Sequence, residues 1–118
     1  MSKPRSDILK TVENAERDRD YAITHWTDEF TFLYPITDQP CFASIEIEYH
    51  PAKHCIEMMS LKNYLQTFRD EAFYYEAVAN KVLDDLADTI KPRRMKVTAS
   101  FTVRGGISST VKASVGDV

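Results

Sequence analysis

The chain alternates between apolar and polar residues in four segments, and this pattern predicts β-strands at residues 21–34, 42–50, 94–103 and 107–115. In the two middle strands every second residue is apolar, and the residues between them are mostly charged, hydroxyl-bearing or histidine side chains. Such strands bury one face and leave the other in water. The sheet is therefore predicted to be antiparallel, with helices packed on one face only.

The sequence allows more specific predictions for the first strand and for the turn before the last strand. Trp26, Phe30 and Phe32 all stand at even positions of the first strand, which predicts that they share its buried face. Gly105 and Gly106 separate the last two strands, and a glycine pair at this place predicts a tight hairpin turn.

Between the second and third strands the apolar residues recur every three or four positions, which predicts helices at residues 60–69 and 70–90. Asp70 and Glu71 would stand in the first turn of the second helix, where negative charge is favourable. Pro92 would stop this helix. Its apolar stripe repeats every fourth residue at Val78, Val82, Leu86 and Ile90.

The order of elements is thus β-β-α-α-β-β, an α+β fold. A four-stranded sheet has two open edges, and neighbouring copies that join edge to edge into a closed barrel remove them. Residues 1–20 carry ten charged side chains and few apolar ones, so we interpret them as an N-terminal arm. Residues 21–118 form the single folded domain.

Composition narrows the possible functions. A chain of 118 residues forms one domain and rarely encloses a deep pocket, so we expect a ligand site between subunits. The formal charge of −3 gives no overall reason for nucleic-acid binding, although the basic residues of 91–96 can contact a tRNA backbone or simply suit a helix C-terminus. The apolar runs are too short for a membrane span, and we expect a cytoplasmic protein with free thiols at Cys41 and Cys55.

Four segments carry a family resemblance. Residues 29–43 read EFTFLYPITDQPCFA, residues 57–65 read EMMSLKNYL, residues 68–76 hold FR followed by YE, and residues 101–107 read FTVRGGI. In order and spacing they resemble motifs of the 7-cyano-7-deazaguanine reductases (QueF), the nitrile reductases of queuosine biosynthesis. The resemblance implies a tunnelling fold, with β-β-α-α-β-β subunits assembled into a homo-oligomeric ring and a deazapurine-like ligand bound at subunit interfaces.

The resemblance also implies positions for the chemistry. In the family a cysteine attacks the nitrile carbon, and NADPH reduces the resulting thioimide. The positions that match the family's cysteine, aspartate and histidine are Tyr34, Cys41 and Tyr75, which makes these three the candidate catalytic residues. A phenol oxygen is a poorer nucleophile than a thiolate. The family's catalytic groups are therefore replaced in this chain.

The binding residues match the family better. Glu76 and Glu57 match the two glutamates of the substrate pocket, although Glu76 could instead serve the helix dipole and Glu57 could be a surface charge. In the family's NADPH motif, Met58–Met59 replace a serine and a lysine, which removes a cation suited to phosphate. Ser60 and Lys62 remain as candidate contacts for NADPH.

Three residue groups leave alternatives open. Cys41 is either a relocated nucleophile or a small buried thiol that fills the aspartate's place. Arg104 is either a turn residue or an anion contact. His50, His54 and Cys55 lack regular metal-ligand spacing, so we predict a solvated loop and no metal.

The resemblance predicts a protein of 7-deazaguanine metabolism, of the queuosine or archaeosine type, and names it a reductase. One alternative is an amidinotransferase that acts on tRNA, because such a relative dispenses with NADPH. Another is a non-catalytic protein that binds a deazapurine or pterin through Glu76. A purely structural ring is the third alternative.

Overall fold

The computed structural model describes residues 5–116. A short 3-10 turn at Ser6–Ile8 precedes the regular elements. These are β1 (Thr11–Glu13), β2 (Ile23–Leu33), β3 (Pro40–His50), β4 (His54–Ile56), α1 (Met58–Gln66), α2 (Tyr75–Ile90), β5 (Arg94–Arg104) and β6 (Ile107–Gly116). The main sheet is antiparallel, with strand order β2-β3-β5-β6, so β2 and β6 are its edges. The predicted α+β architecture is confirmed.

The alternation of the two central strands works as predicted. Ile45 of β3 lies opposite Ala99 of β5, and both side chains are fully buried. Glu46 and Thr98, one position further along, lie opposite each other on the polar face. Helix α2 covers the apolar face with its predicted stripe, which is buried throughout: Val78, Val82, Leu86 and Ile90.

The second helix begins later than predicted, so the assignment of Asp70 and Glu71 to its first turn is wrong. Residues 67–74 form a connection that pairs with the end of β2. The backbone N–H of Leu33 donates to the carbonyl of Glu71 at 2.9 Å, and that of Phe73 donates to the carbonyl of Leu33 at 3.0 Å. These bonds hold the segment extended and delay the helix to Tyr75.

The helix ends are otherwise close to the prediction. Helix α2 ends at Ile90, and Lys91 follows in the left-handed conformation with φ of 48°, directly before Pro92. The first helix starts two residues earlier than predicted, at Met58. Within residues 5–116 we find no helix long and apolar enough to cross a membrane.

A β-bulge in β2 overturns the expectation for Trp26. The pairing with β3 shifts between Thr27 and Phe30, so that the inward face changes from odd to even positions. Phe30 and Phe32 are buried as predicted, whereas Trp26 lies before the bulge and is 61% exposed. The simple even-number count fails because it has no means of detecting the inserted residue.

Part of the N-terminal arm is docked on the domain. Strand β1 pairs with β4, and Leu9 is a buried member of the core. Asn14 is 2% exposed and donates from its amide to the carbonyl of Ala52 at 2.8 Å. The predicted β-β-α-α-β-β order therefore lacks two strands, each of only three residues, which are too short to show an alternation.

Candidate functional site

A cleft of about 380 Å³ lies where the end of β2, the start of α2 and the β5–β6 hairpin meet. It brings together all three candidate catalytic positions, Tyr34, Cys41 and Tyr75, although they are far apart in the sequence. Glu76, predicted to bind the ligand, lines the same cleft, as does Arg104. The remaining lining residues are Thr37, Gln39, Tyr74, Ile107 and Ser109.

One wall of the cleft is aromatic. The ring of Tyr34 lies 5.7 Å from that of Tyr74 and 6.2 Å from that of Tyr75 between centroids, at interplanar angles of 87° and 80°. Tyr75 also stacks flat on Phe101 of β5, with centroids 4.0 Å apart and planes at 3°. Phe32 of β2 packs edge-on against the same pair. The core of the sheet therefore fixes Tyr75, and Tyr75 supports Tyr34.

Burial keeps two acidic groups of the cleft protonated. Cys41 is 3% exposed, its Sγ donates to the carbonyl of Gln39 at 3.9 Å, and burial raises the pKa of its thiol. Burial also raises the pKa of the Tyr75 hydroxyl. The positive charge of Arg104 opposes both increases without reversing them. Neither side chain is thus an ionised nucleophile at neutral pH.

A hydrogen bond to the backbone holds the side chain of Arg104, which lies directly before the β5–β6 turn. Its Nη2 donates to the carbonyl of Pro40 at 2.6 Å, across the start of β3. The tight turn at Gly105 and Gly106, whose φ values are 57° and 80°, follows directly, as predicted. The left-handed backbone that this turn requires is readily adopted by glycine. Arg104 thus has a structural hydrogen bond and also lines the cleft.

Glu76 stands in the first turn of α2 with its side chain exposed at the cleft. Its backbone carbonyl accepts from the amide of Asn80 at 2.9 Å. Among the described residues no hydrogen bond to its carboxylate is found. A carboxylate in this state can accept two parallel N–H bonds from a ligand.

The structure places Glu57 outside the cleft. It is the N-cap of α1, where Oε2 accepts from the N–H of Met59 at 2.7 Å and Oε1 accepts from the N–H of Ser60 at 2.9 Å. The hydrogen bond from Met59 and then that from Ser60 lower the pKa of this carboxyl. Both carboxylate oxygens therefore accept hydrogen bonds within the chain. The contact of Glu57 with a ligand stays a prediction.

The two candidate NADPH residues differ in availability. Ser60 is 5% exposed, and its hydroxyl donates to the carbonyl of Glu57 at 2.7 Å and accepts from the N–H of Lys10 at 3.0 Å. Lys62 is exposed and lines a groove of about 800 Å³ between α1 and β2. Met58 and Met59 beside them are 67% and 58% exposed. Of the residues in the matching motif, Lys62 thus keeps an exposed cation, and Arg69 lines the same groove.

The predicted solvated loop of His50, His54 and Cys55 is wrong, because His50 ends β3 and the other two residues lie in β4. The Nδ1 of His50 lies 2.7 Å from Asp20 Oδ1, and Arg94 donates to Asp20 Oδ2 at 2.9 Å. The bond from Arg94, and then that from His50, lower the pKa of Asp20. Across residues 5–116 we find no group of three or more His, Cys, Asp or Glu side chains arranged for a metal ion.

Sequence reasoning missed several residues of the cleft. Thr37 and Gln39 lie in the turn after β2, and Ile107 and Ser109 lie on β6. They are ordinary loop and edge-strand residues, and only the folded hairpin brings them to the cleft. No spacing rule in the sequence could have singled them out.

Comparisons with known proteins place this geometry in context. The model of a family described as QueF-like protein matches residues 40–118. A relative from Halorhodospira halophila, named NADPH-dependent 7-cyano-7-deazaguanine reductase, is 48% identical over 96% of this chain and 96% of its own length. A relative of the same name from an Anaeromyxobacter species is 46% identical over 98% of this chain and 94% of its own length.

A solved structure shows the same fold. The crystal structure of the archaeosine synthase QueF-Like in the apo form matches with a TM-score of 0.76 and 21% sequence identity. The match covers 82% of this chain and 95% of that chain. At this identity the likeness concerns the arrangement of helices and strands.

Proposed function

Because the chain belongs to the QueF-like protein family, we propose that it serves 7-deazaguanine metabolism and binds a 7-deazaguanine base in the cleft without reducing it. The observation that supports this most directly is the unengaged carboxylate of Glu76, beside the aromatic wall of Tyr34, Tyr74 and Tyr75. The cleft volume of about 380 Å³ lies at the small end of the range for ligand pockets.

The recognition chemistry follows from these groups. A deazaguanine presents an amino-pyrimidinone edge with two parallel N–H donors, and the Glu76 carboxylate can accept both. Its flat ring can stack on a tyrosine of the wall, since aromatic faces favour offset stacking. The free carboxylate and the aromatic wall thus support the proposal that a flat base binds here.

The first step of the reduction, attack on the nitrile carbon, has no ionised nucleophile in this cleft. The resemblance implies attack by a cysteine at the position of Tyr34, whose phenol is a weak nucleophile. Burial raises the pKa of Cys41, so its thiol remains protonated. Met58 and Met59 stand where the family's NADPH motif has a serine and a lysine. We therefore expect binding without turnover, although the relatives are named NADPH-dependent reductases.

Calorimetry with 7-cyano-7-deazaguanine tests the proposal. We expect the wild type to bind, and Glu76→Gln to bind at least about tenfold more weakly, because one accepting oxygen becomes a donor. Asp88→Asn, an exposed change on the same helix, is the matched control and should leave the affinity unchanged. No binding by the wild type, or steady NADPH oxidation with the nitrile, would overturn the proposal.

Covalent addition of Cys41 to the nitrile, the first step of the reduction that the resemblance implies, is the second candidate, because this thiol lies in the same cleft. Its sulfur would add to the nitrile carbon, the C≡N bond would become C=N, and the nitrogen would take up a proton. Intact-mass measurement of the protein with 7-cyano-7-deazaguanine detects the adduct. Cys41→Ser would abolish it, and Cys55→Ser, outside the cleft, would retain it. An unmodified wild type removes this candidate.

We also propose that copies assemble into a ring through the edge strands β2 and β6, each of which has one neighbour in the main sheet. Backbone groups on the outer side of such strands favour pairing with another chain. A neighbouring copy would then help to complete the ligand site. Light scattering coupled to size exclusion should give a mass several times 13.6 kDa, and a monomeric mass would contradict the assembly.

A further inference from the structure

His25 is a polar side chain of β2 that lies outside the cleft and has no role in the proposed base site. It lies opposite Ile47 of β3, and its ring centroid is 6.2 Å from that of Tyr49. The Nε2 atom is shielded from solvent, yet within residues 5–116 it has no hydrogen-bond partner. Burial lowers the pKa of His25, so the ring of a single chain is neutral at pH 7.

The surroundings of His25 belong to an open edge of the main sheet. The ring lines the groove of about 800 Å³ between α1 and the edge strand β2. Three charged residues line the same groove: Glu29 of β2, Lys62 of α1, and Arg69 just after α1. From β3, the hydroxyl of Tyr49 faces elsewhere, because it accepts from the N–H of Ile56 at 3.0 Å. Burial, rather than any of these charges, lowers the pKa of His25.

Strand β6 forms the other open edge of the sheet and matches the β2 edge in direction and charge. All neighbouring strands in the order β2-β3-β5-β6 are antiparallel, so β6 of one copy beside β2 of the next continues the same pattern. Lys112 is the one charged residue of Ile107–Gly116, whereas Asp28 and Glu29 stand exposed at the β2 bulge. The residues of β6 on the helix-covered face are aliphatic and incompletely buried: Val111, Ala113 and Val115.

We infer that β6 of a second copy covers His25 at the β2 edge, and that this contact persists only while the His25 ring is neutral. The inference rests on the proposed assembly through β2 and β6. In the continuous sheet, His25 shares its face with the aliphatic residues of the neighbouring β6, and these offer no carboxylate to a protonated ring. Burying a charged imidazole among them is unfavourable, so acid separates the copies.

The expected size of the effect follows from proton binding. A separated chain binds a proton at His25 more readily than an assembled one, because the second copy removes the remaining solvent from the ring. Acid therefore favours the separated chains. With one His25 at each contact, the association constant should fall by up to about tenfold for each pH unit below the ordinary histidine pKa of about 6.5.

Size exclusion coupled to light scattering, at pH steps from 8 to 5 and one protein concentration, tests the inference. We expect the wild type to have a mass several times 13.6 kDa at pH 8 and to lose mass as the pH falls below about 6.5. His25→Phe keeps a flat ring without a titratable nitrogen, so its mass should stay constant. His25→Gln is a second neutral variant if the phenylalanine variant fails to fold by circular dichroism. His54→Gln, at an exposed histidine of β4, is the matched control and should retain the pH dependence.

The outcomes separate the pH dependence from the assembly itself. A wild type that keeps its full mass from pH 8 to 5 would overturn the inference and leave the assembly standing. A monomer at pH 8 would overturn both. Acid dissociation that persists in the His25 variants, or that accompanies a loss of the helical circular dichroism signal, would have another cause and would also overturn the inference. The base site is tested separately, by binding of 7-cyano-7-deazaguanine to the wild type and to Glu76→Gln.

Discussion

The hydroxyl of Tyr64 joins the two helices through a part-buried hydrogen bond, and the loss of this bond should measurably lower the free energy of unfolding. The side chain is fully buried on α1, and its hydroxyl donates to Asp85 Oδ2 of α2 at 2.6 Å. The Nζ of Lys81 lies 3.0 Å from the other carboxylate oxygen of Asp85. Tyr64→Phe deletes the donor and keeps the ring, so the packing of the core is preserved.

The expected magnitude follows from the acceptor. Hydrogen bonds to charged groups contribute about 1.5–3 kcal/mol, and the Asp85 side chain is only 10% exposed, so water replaces the lost donor poorly. We expect Tyr64→Phe to lower the free energy of unfolding by about 2 kcal/mol. Lys81→Met, which removes an i,i+4 ion pair at a third-exposed lysine, should cost about 0.3–0.5 kcal/mol and is the matched control.

Urea denaturation followed by circular dichroism, at two protein concentrations to separate association from folding, gives these values. Burial raises the pKa of Tyr64, so its contribution to stability is complete below pH 10, the ordinary value of a tyrosine, and is lost as the pH rises above it. The wild type should therefore lose stability more steeply in alkali than Tyr64→Phe. A phenylalanine variant no less stable than Lys81→Met would refute the reasoning.

Two further predictions concern the helix cap and the replaced catalytic positions. Glu57→Ala should lower the melting temperature at pH 7. The difference from wild type should shrink as the pH falls below about 4.5, because the pKa of this capping carboxyl is lowered in the folded state. A difference in melting temperature that is independent of pH would contradict the capping role. The triple variant Tyr34→Cys, Cys41→Asp, Tyr75→His should gain a covalent adduct with 7-cyano-7-deazaguanine by mass spectrometry, and Tyr34→Cys alone should gain less. A folded triple variant without an adduct would contradict the assignment of the family's catalytic positions to residues 34, 41 and 75 of this chain.

The main sheet was predictable because period-2 alternation reflects burial on one face only. Strands β3 and β5 show this pattern clearly, and their observed ends lie within two residues of the predicted ones. The errors lie where a local pattern depends on distant partners. Strand β1 exists because β4 lies beside it, and α2 starts at Tyr75 because the preceding segment bonds to β2. Such contacts cannot be read from a short window of sequence.

The bulge in β2 is a second feature that a short window of sequence does not reveal, and it affects the position of Trp26. Trp26 and Phe32 have the same parity, yet the bulge places them on opposite faces of the sheet. An inserted residue reverses every side chain beyond it. Alternation holds on each side of the bulge, but the inward positions are odd before it and even after it.

The candidate site was predicted from the family resemblance rather than from periodicity. Its motifs placed Tyr34, Cys41, Tyr75 and Glu76 together, and the folded chain brings all four to one cleft. Glu57 differs, because its carboxylate caps α1 through two backbone N–H groups. A glutamate before a helix serves either role, and only the geometry shows the capping bonds.

The replaced residues of the cleft act together on its chemistry. Tyr75 stacks on Phe101, and burial raises the pKa values of both Tyr75 and Cys41, so these positions favour protonated, packed side chains over ionised ones. Activation of a nitrile requires an ionised nucleophile, whereas recognition of a base requires only an accessible acceptor and a flat surface. Glu76 and the tyrosines retain the second set of features. Under the proposed function, the packing that keeps Tyr75 and Cys41 protonated therefore also builds the wall on which a ligand can bind.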